Sequence, residues 1–122
     1  MKVIIVTMMA IMSIIGFMIK LPRVFSAYDK ELHFFFYFCV TLLISWLFIK
    51  SRYVYHILIC FTLFTFGVCI EQMQEFSNEL VTKRIHGNFD PEDITYNTLG
   101  IMYAFILFTT YRAVKIMTDN RK

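Results

Sequence analysis

The chain has few cysteines, few charged residues and no internal repeat or low-complexity segment. Its three cysteines, Cys39, Cys60 and Cys69, lie inside apolar runs, without a CxxC pair or a histidine at ligand spacing. We expect each to be a small buried side chain, and neither a disulfide nor a zinc site. The net charge is only +3, and the basic residues lie in short polar stretches rather than in one patch. This distribution argues against nucleic-acid binding.

The sequence is instead rich in apolar residues. Of its 122 residues 58% are hydrophobic, and the mean hydropathy is +0.61, beyond the ~45–50% apolar content of soluble domains. The 14 phenylalanines are interleaved with aliphatic residues, whereas a base-stacking surface needs aromatic residues interleaved with cations. We therefore predict one integral membrane domain over residues 1–122.

Four apolar runs predict an all-α bundle of four transmembrane helices. The runs cover about residues 3–19, 33–49, 54–70 and 94–114, and their lengths suit a hydrocarbon core of ~30 Å. The short link 50–52 predicts that the second and third helices form an antiparallel hairpin. The first run could also be a cleaved signal peptide. Its length exceeds the usual ~7–15 residues and cations follow it, which favours a retained helix.

The cations predict the orientation of the bundle. The side that carries both termini and the 50–52 link has seven Lys and Arg residues, and the other side has five. Under the positive-inside rule the termini are cytoplasmic and the polar segment 71–93 faces outward.

Two helix starts carry capping signals. Ser26 followed by Asp29 three residues later fits a capping box at the second helix. Asp90 fits an N-cap at the fourth helix, with Pro91 at the first helical position and Asp93 at the third.

Polar residues at helical spacing converge on one membrane face. Residues 71–100 hold six of the nine acidic residues. Three sets each occupy one helix face: Asp29 and His33; Glu71, Gln74 and Asn78; Asp93, Asn97 and Gly100. Because ionisable groups near lipid are costly and usually face a polar cavity, a shared pocket is predicted.

Structural roles compete with functional ones at these positions. Asp90 is more simply a helix cap, Asp29 is equally suited to a capping box, and His33 alone would be an interfacial aromatic residue. Glu71 is harder to explain structurally, since it directly abuts an apolar run. Asn97 lies about one turn inside a membrane helix, where an amide needs hydrogen-bond partners.

Three motifs follow one another at these helix ends. They are Asp29-Lys30-x-x-His33-Phe34; Gly67-x-x-x-Glu71-x-x-Gln74-x-Phe76 with a following Arg84; and Asp90-x-x-Asp93-x-x-x-Asn97-x-x-Gly100. In this order they resemble the VanZ-like family of small bacterial membrane proteins, named for a protein linked to teicoplanin resistance. The resemblance covers about residues 20–117.

Two departures from the family pattern affect the interpretation. Nine residues separate Gln74 from Arg84, more than the family pattern predicts, so the role of Arg84 is open and Lys83 could replace it. Ala104 stands in place of the second small residue of the closing glycine pair, and it should still permit close helix packing.

The resemblance implies a multi-pass protein of the bacterial cytoplasmic membrane that acts at the cell envelope. For glycopeptide antibiotics, the resemblance implies low-level antibiotic resistance to a compound that carries a lipid tail. Family-level comparison also suggests kinship with helical membrane enzymes that act on lipid head groups, although fold analogy is a poor guide to reaction.

The leading hypothesis is an outward-facing pocket that binds, and in an enzymatic version transforms, a phosphate-bearing lipid head group or a lipid-linked cell-wall precursor. His33 would be the nucleophile or general base, oriented by Asp29, with Glu71 or Asp93 as the paired acid and base. Amides would hold phosphate or sugar oxygens and an arginine would neutralise charge at phosphorus. The predicted ligand-binding residues are Asp29, Gln74, Arg84, Asp90 and Asn97.

Three alternatives to this hypothesis remain. In the first, Glu71, Asp90 and Asp93 would hold a divalent ion, but the spacing of these residues does not support such a site, so no cofactor is predicted. A non-catalytic envelope protein could use the same residues to bind a glycopeptide or lipid tail, or to stabilise membrane partners. A small dimeric transporter is disfavoured because the acidic residues lie at helix ends rather than at mid-bilayer.

Overall fold

A computed structural model of the chain describes residues 1–18, 28–80 and 89–121. These residues form four α-helices: α1 Lys2–Met18, α2 Asp29–Leu47, α3 Tyr53–Leu80 and α4 Pro91–Asp119. The all-α prediction is confirmed. Helices α2, α3 and α4 are long and apolar enough to cross a membrane, and α1 is shorter. The chain is therefore a candidate multi-pass membrane protein.

The link between α2 and α3 is short, as the sequence predicts. Helix α2 ends at Leu47 and α3 begins at Tyr53, so the two helices form the predicted hairpin. Arg112 of α4 holds this turn, because its Nη1 donates to the Ser51 carbonyl oxygen at 3.0 Å and its guanidinium lies 4.4 Å from the Tyr53 ring centroid.

Capping chemistry determines where α4 begins. Asp90 is the N-cap residue, and its carboxylate accepts a hydrogen bond of 2.9 Å from the Glu92 backbone N–H. Pro91 occupies the first helical position, where its missing N–H costs nothing. The predicted cap is confirmed.

Helix α2 begins at Asp29, with Tyr28 as the N-cap residue and no side-chain cap hydrogen bond. The helix start therefore lies later than the capping box of Ser26 and Asp29 predicts. Ser26 itself lies outside the described residues. One carboxylate oxygen of Asp29 lies 4.0 Å from His33 Nε2.

The polar segment 71–93 belongs largely to helices. Residues 71–80 continue α3 beyond its apolar run, and residues 91–93 open α4. The Phe89 backbone N–H donates to Glu75 Oε2 at 3.0 Å. This hydrogen bond ties the approach to α4 to the end of α3.

Helices α2 and α4 start at the same end of the bundle, run parallel and meet at Gly100. A Cβ built on Gly100 would collide with the Phe34 carbonyl oxygen and lie 3.0 Å from the Phe38 backbone nitrogen. Only glycine permits this backbone approach. Ala104, one turn further along, is fully buried. The predicted small-residue contact is confirmed.

Helix α1 runs antiparallel to α2 along the depth of the bundle. At one end the Lys2 ammonium lies 5.1 Å from the Phe48 ring centroid. At the other end the Phe17 and His33 ring centroids are 4.7 Å apart. Helix α1 therefore covers the same height as residues 33–48 of α2.

The three cysteines are free. Cys39 and Cys60 are partly buried and Cys69 is exposed on α3. The prediction that each is buried is therefore wrong for Cys69, because the apolar surface of a membrane bundle need not point inward.

Candidate functional site

Most of the predicted site residues that the structure describes lie at the end of the bundle where α2 and α4 begin and α3 ends. Four of them are almost fully buried there: His33 and Asn97 are 4% and 3% exposed, Glu71 is 0% exposed and Asp93 is 7% exposed. Charged side chains are almost never buried so completely without a partner. We call these four residues, together with Asp29, the polar cluster.

His33 lies at the centre of the polar cluster. Its Nδ1 is 2.9 Å from Asn97 Oδ1, and because an amide oxygen only accepts hydrogen bonds, Nδ1 is the donor. On the other side of the ring, Nε2 lies 4.0 Å from Asp29 Oδ1 and 3.9 Å from Asp93 Oδ2. The imidazole is thus held between one amide and two carboxylates.

Helical spacing explains this arrangement. Asp29 and His33 are four residues apart in α2, as are Asp93 and Asn97 in α4, so each pair shares a helix face. The close approach of the two helices at Gly100 brings the two faces together.

Glu71 brings a third carboxylate to the cluster from α3. The negative charges of Asp93 and Asp29 act on Glu71. Within residues 1–18, 28–80 and 89–121, both carboxylate oxygens of Glu71 and Oδ1 of Asp93 lack a hydrogen-bond partner. Burying an unpaired carboxylate costs several kcal/mol. The cluster therefore needs a proton, a donor or a cation that these side chains do not supply.

Gly67 makes room for the centre of the cluster. A Cβ at this position would lie 3.0 Å from the Tyr37 hydroxyl and 3.2 Å from Asn97 Nδ2. The Tyr37 side chain is buried, and its hydroxyl has no hydrogen-bond partner among the described residues. Sequence reasoning missed Tyr37, although its position one helical turn after His33 is the signal that could have found it.

Gln74 faces α1 rather than His33. Its Nε2 donates to the Phe17 carbonyl oxygen at 2.7 Å, which satisfies one of the carbonyls left unpaired at the end of a helix. The Phe17 ring packs at 37° against the His33 imidazole. Sequence reasoning also missed Phe17, because nothing in the sequence indicates where α1 docks.

The remaining predicted residues lie at the rim or outside the described chain. Lys30 forms an ion pair with Glu92, and its Nζ lies 3.9 Å from Asp90 Oδ2. Such exposed pairs contribute about 0–1 kcal/mol. Arg84 and its possible replacement Lys83 lie outside the described residues.

No protein-family model, curated protein or solved structure matches this chain. The similarity to the VanZ-like family therefore rests on the three motifs alone.

An apolar groove adjoins the polar cluster. It lies between α1, α2 and α3 and has a volume of about 590 Å³. Tyr37 and Ser13 line it toward the polar end, and Phe48 and Ser51 line it toward the opposite end. Since Tyr37 is one turn from His33, the groove ends about one helical turn, ~5.4 Å, from the polar cluster.

Proposed function

We propose that this chain is a four-span membrane protein that binds a lipid with a phosphate-bearing head group. The head group reaches the polar cluster and the lipid chain lies in the groove between α1, α2 and α3. The observation that carries the proposal is the continuity at Tyr37 between buried, unpartnered carboxylates and an apolar groove. An apolar concave site with a few convergent polar groups is typical of ligand binding.

The groove favours a lipid over a soluble ligand. Its lining is almost entirely apolar, with residues such as Val6, Met9, Val40 and Ile44, and in a bilayer an acyl or polyprenyl chain is the molecule available to fill it. From Tyr37 to Phe48 it follows eleven residues of α2, which corresponds to about 17 Å. This length accommodates a long hydrocarbon chain.

The acidic character of the cluster restricts how a phosphate is bound. Asp29, Glu71 and Asp93 repel a phosphate unless a positive charge lies between them. Arg84 or Lys83, or a bound cation, would supply that charge. In the orientation that the cations predict, the site faces outward, which fits the envelope role that the VanZ-like resemblance implies.

A catalytic version follows from the pairing of Glu71 with Asp93. Two neighbouring carboxylates in different environments can act as acid and base. His33 would then accept a proton from a water that attacks phosphorus, the protonated member of the Glu71–Asp93 pair would give its proton to the leaving alcohol, and Asn97 would hold the imidazole ring in place. The phosphoester would break into an alcohol and a phosphate, one of which carries the lipid chain.

Lipid retention by the purified full chain tests the binding proposal. The protein would be offered phosphatidic acid, a polyprenyl phosphate and diacylglycerol, and the retained lipid would be measured by native mass spectrometry. We expect the two phosphate lipids to be retained more strongly than diacylglycerol, and removal of the positive charge, by Lys83→Gln with Arg84→Gln or by a chelator, to abolish this preference. Equal retention of charged and uncharged lipids would overturn the proposal.

A matched pair of substitutions tests the groove. Thr62 lines the groove and is exposed, whereas Thr110 is exposed on α4 and is not among the groove residues. Thr62→Trp should reduce retention of every lipid chain, and Thr110→Trp should not. A lipid-tailed glycopeptide offered as competitor would show whether the groove accepts an antibiotic tail.

Head-group release from labelled phospholipids and polyprenyl-phosphate-linked sugars tests the catalytic version. Turnover that both His33→Ala and Glu71→Gln remove would establish it. Lipid retention without turnover would leave a binding protein.

A further inference from the structure

We propose that Asp29, His33 and Asp93 bind a divalent transition-metal cation, with Asn97 as the residue that orients His33. The proposal does not depend on which lipid the chain binds. It makes His33 a metal ligand, so the general base of the catalytic version would then be Glu71 or Asp93 rather than His33.

The distances fit a single ion with small side-chain movements. One ligand atom from each of the three residues lies within 4.8 Å of the other two. With metal–ligand bonds of about 2.1 Å and tetrahedral angles, two atoms on the same ion lie about 3.4 Å apart. The separations of 3.9 and 4.0 Å from His33 Nε2 must therefore shorten by about half an ångström. The Asp29 side chain is 45% exposed, so it has room to close the remaining distance.

The hydrogen bond of His33 presents the correct nitrogen. Because Nδ1 donates to Asn97 Oδ1, a neutral imidazole carries its lone pair on Nε2, which faces the two carboxylates. A lone pair that faces two anions is repulsive unless a cation or a proton lies between them. Metal-binding histidines commonly donate their other ring N–H to a carbonyl or carboxylate in this way.

A second observation points to a cation independently of the distances. Asp93 is 7% exposed, and its Oδ1 has no hydrogen-bond partner in the part of the chain that the structure describes. Glu71 faces the same cluster near the Asp90 backbone N–H. It is fully buried, and neither of its carboxylate oxygens has a hydrogen-bond partner at bonding distance among the described residues. A divalent cation would compensate the buried negative charge, and Glu71 would face it as an outer carboxylate.

The donor set indicates the class of cation. An imidazole with two carboxylates suits Zn²⁺, Mn²⁺ or Fe²⁺, whereas Mg²⁺ and Ca²⁺ prefer oxygen donors alone. Three protein ligands leave at least one coordination position open. At that position a water or a phosphate oxygen could bind, which would allow this acidic cluster to accept an anionic head group.

Metal binding by the full chain in a maltoside detergent, without phospholipid, tests the inference. The protein would be stripped with a chelator and titrated with Co²⁺, whose visible absorption reports nitrogen and oxygen coordination, and Zn²⁺ would then compete for the site. We expect one saturable equivalent. His33→Ala and Asp29→Asn should abolish it, and Asn97→Ala should weaken it by about tenfold to a hundredfold.

His56→Ala is the matched control. His56 is a fully buried histidine of α3 that packs against Phe108, with ring centroids 4.6 Å apart, and it is not part of the three-residue group. We expect this variant to bind Co²⁺ like the wild type.

Three outcomes would overturn the inference. The first is the absence of saturable binding, which would leave His33 as a protonated partner of the two aspartates. The second is binding that Asp29→Asn and His33→Ala leave unchanged. The third is a thiolate charge-transfer band that Cys69→Ser removes.

Asp29 is half-exposed, so its variant should fold, and monodisperse elution with helical circular dichroism checks this. If the protein bound metal but retained no lipid, the proposed metal site would stand and the lipid-binding proposal would be rejected.

Discussion

His33 Nδ1 donates to Asn97 Oδ1 across 64 residues of sequence, at a distance of 2.9 Å. This hydrogen bond joins the second turns of α2 and α4 and fixes which ring nitrogen faces Asp29 and Asp93. The orientation of the whole polar cluster therefore depends on one amide. The first prediction concerns that amide.

Replacing Asn97 by Leu should destabilise the protein and disorganise His33. The substitution leaves a buried ring N–H without an acceptor, which costs about 1–3 kcal/mol. Thermal unfolding in detergent would measure the loss, with Asn120→Leu at the exposed end of α4 as control. Equal midpoints for the two variants would contradict the hydrogen bond.

Three glycine-to-alanine substitutions should differ in a defined order. Gly100→Ala should be the most damaging, because the added Cβ meets the backbone of α2. Gly67→Ala should have an intermediate effect on stability. Its added Cβ meets the Tyr37 hydroxyl and the Asn97 amide, which belong to side chains that can move. Overpacking of this kind costs about 1–3 kcal/mol.

Gly16→Ala is the control of this series. No described residue lies within 4 Å of a Cβ at Gly16, so the higher helix propensity of alanine should make this variant neutral or more stable by up to about 1 kcal/mol. Thermal unfolding midpoints would give the order. If Gly16→Ala proved as damaging as Gly100→Ala, the described packing of α2 and α4 would be wrong.

Glu71→Gln should stabilise the metal-free protein in alkaline buffer while it impairs function. The amide has the shape of the carboxylate but adds no charge to a cluster whose buried oxygens lack partners. Removing an uncompensated buried charge is favourable by about 1 kcal/mol or more. Unfolding of wild type, Glu71→Gln and the exposed control Glu79→Gln would be compared. If Glu79→Gln gained stability and Glu71→Gln did not, the prediction would be wrong.

Gln74→Leu should loosen the end of α1. The substitution removes the hydrogen bond from Gln74 Nε2 to the Phe17 carbonyl, which is a described polar link between α1 and α3. Hydrogen–deuterium exchange should become faster at residues 13–17. Gln72 is exposed two residues earlier in the same helix, and Gln72→Leu should leave this exchange unchanged.

Much of this architecture could be predicted from local sequence. Apolar run lengths predicted the helices, and Asp90 with Pro91 predicted the start of α4. Spacings of four residues placed Asp29 with His33, and Asp93 with Asn97, on shared faces. These features depend only on neighbours within one or two turns.

The partners of the two amides could not be predicted. Asn97 contacts His33 and Gln74 contacts α1, a choice set by how each helix is rotated about its axis. The sequence contains no direct signal for that rotation, because lipid-facing and core-facing apolar residues look alike in a membrane helix. The unpartnered state of Glu71 also depends on the packing of three helices.

The parallel course of α2 and α4 has an electrostatic consequence. Helices α2 and α4 begin at the polar end, whereas α1 and α3 end there. Each helix start carries about half a positive elementary charge from its aligned peptide dipoles, and each helix end carries about half a negative one. The backbone thus partly offsets the charge of the acidic side chains in those first turns, Asp29, Glu31, Glu92 and Asp93. The same peptide groups would draw an anion toward the place where the aspartates draw a cation.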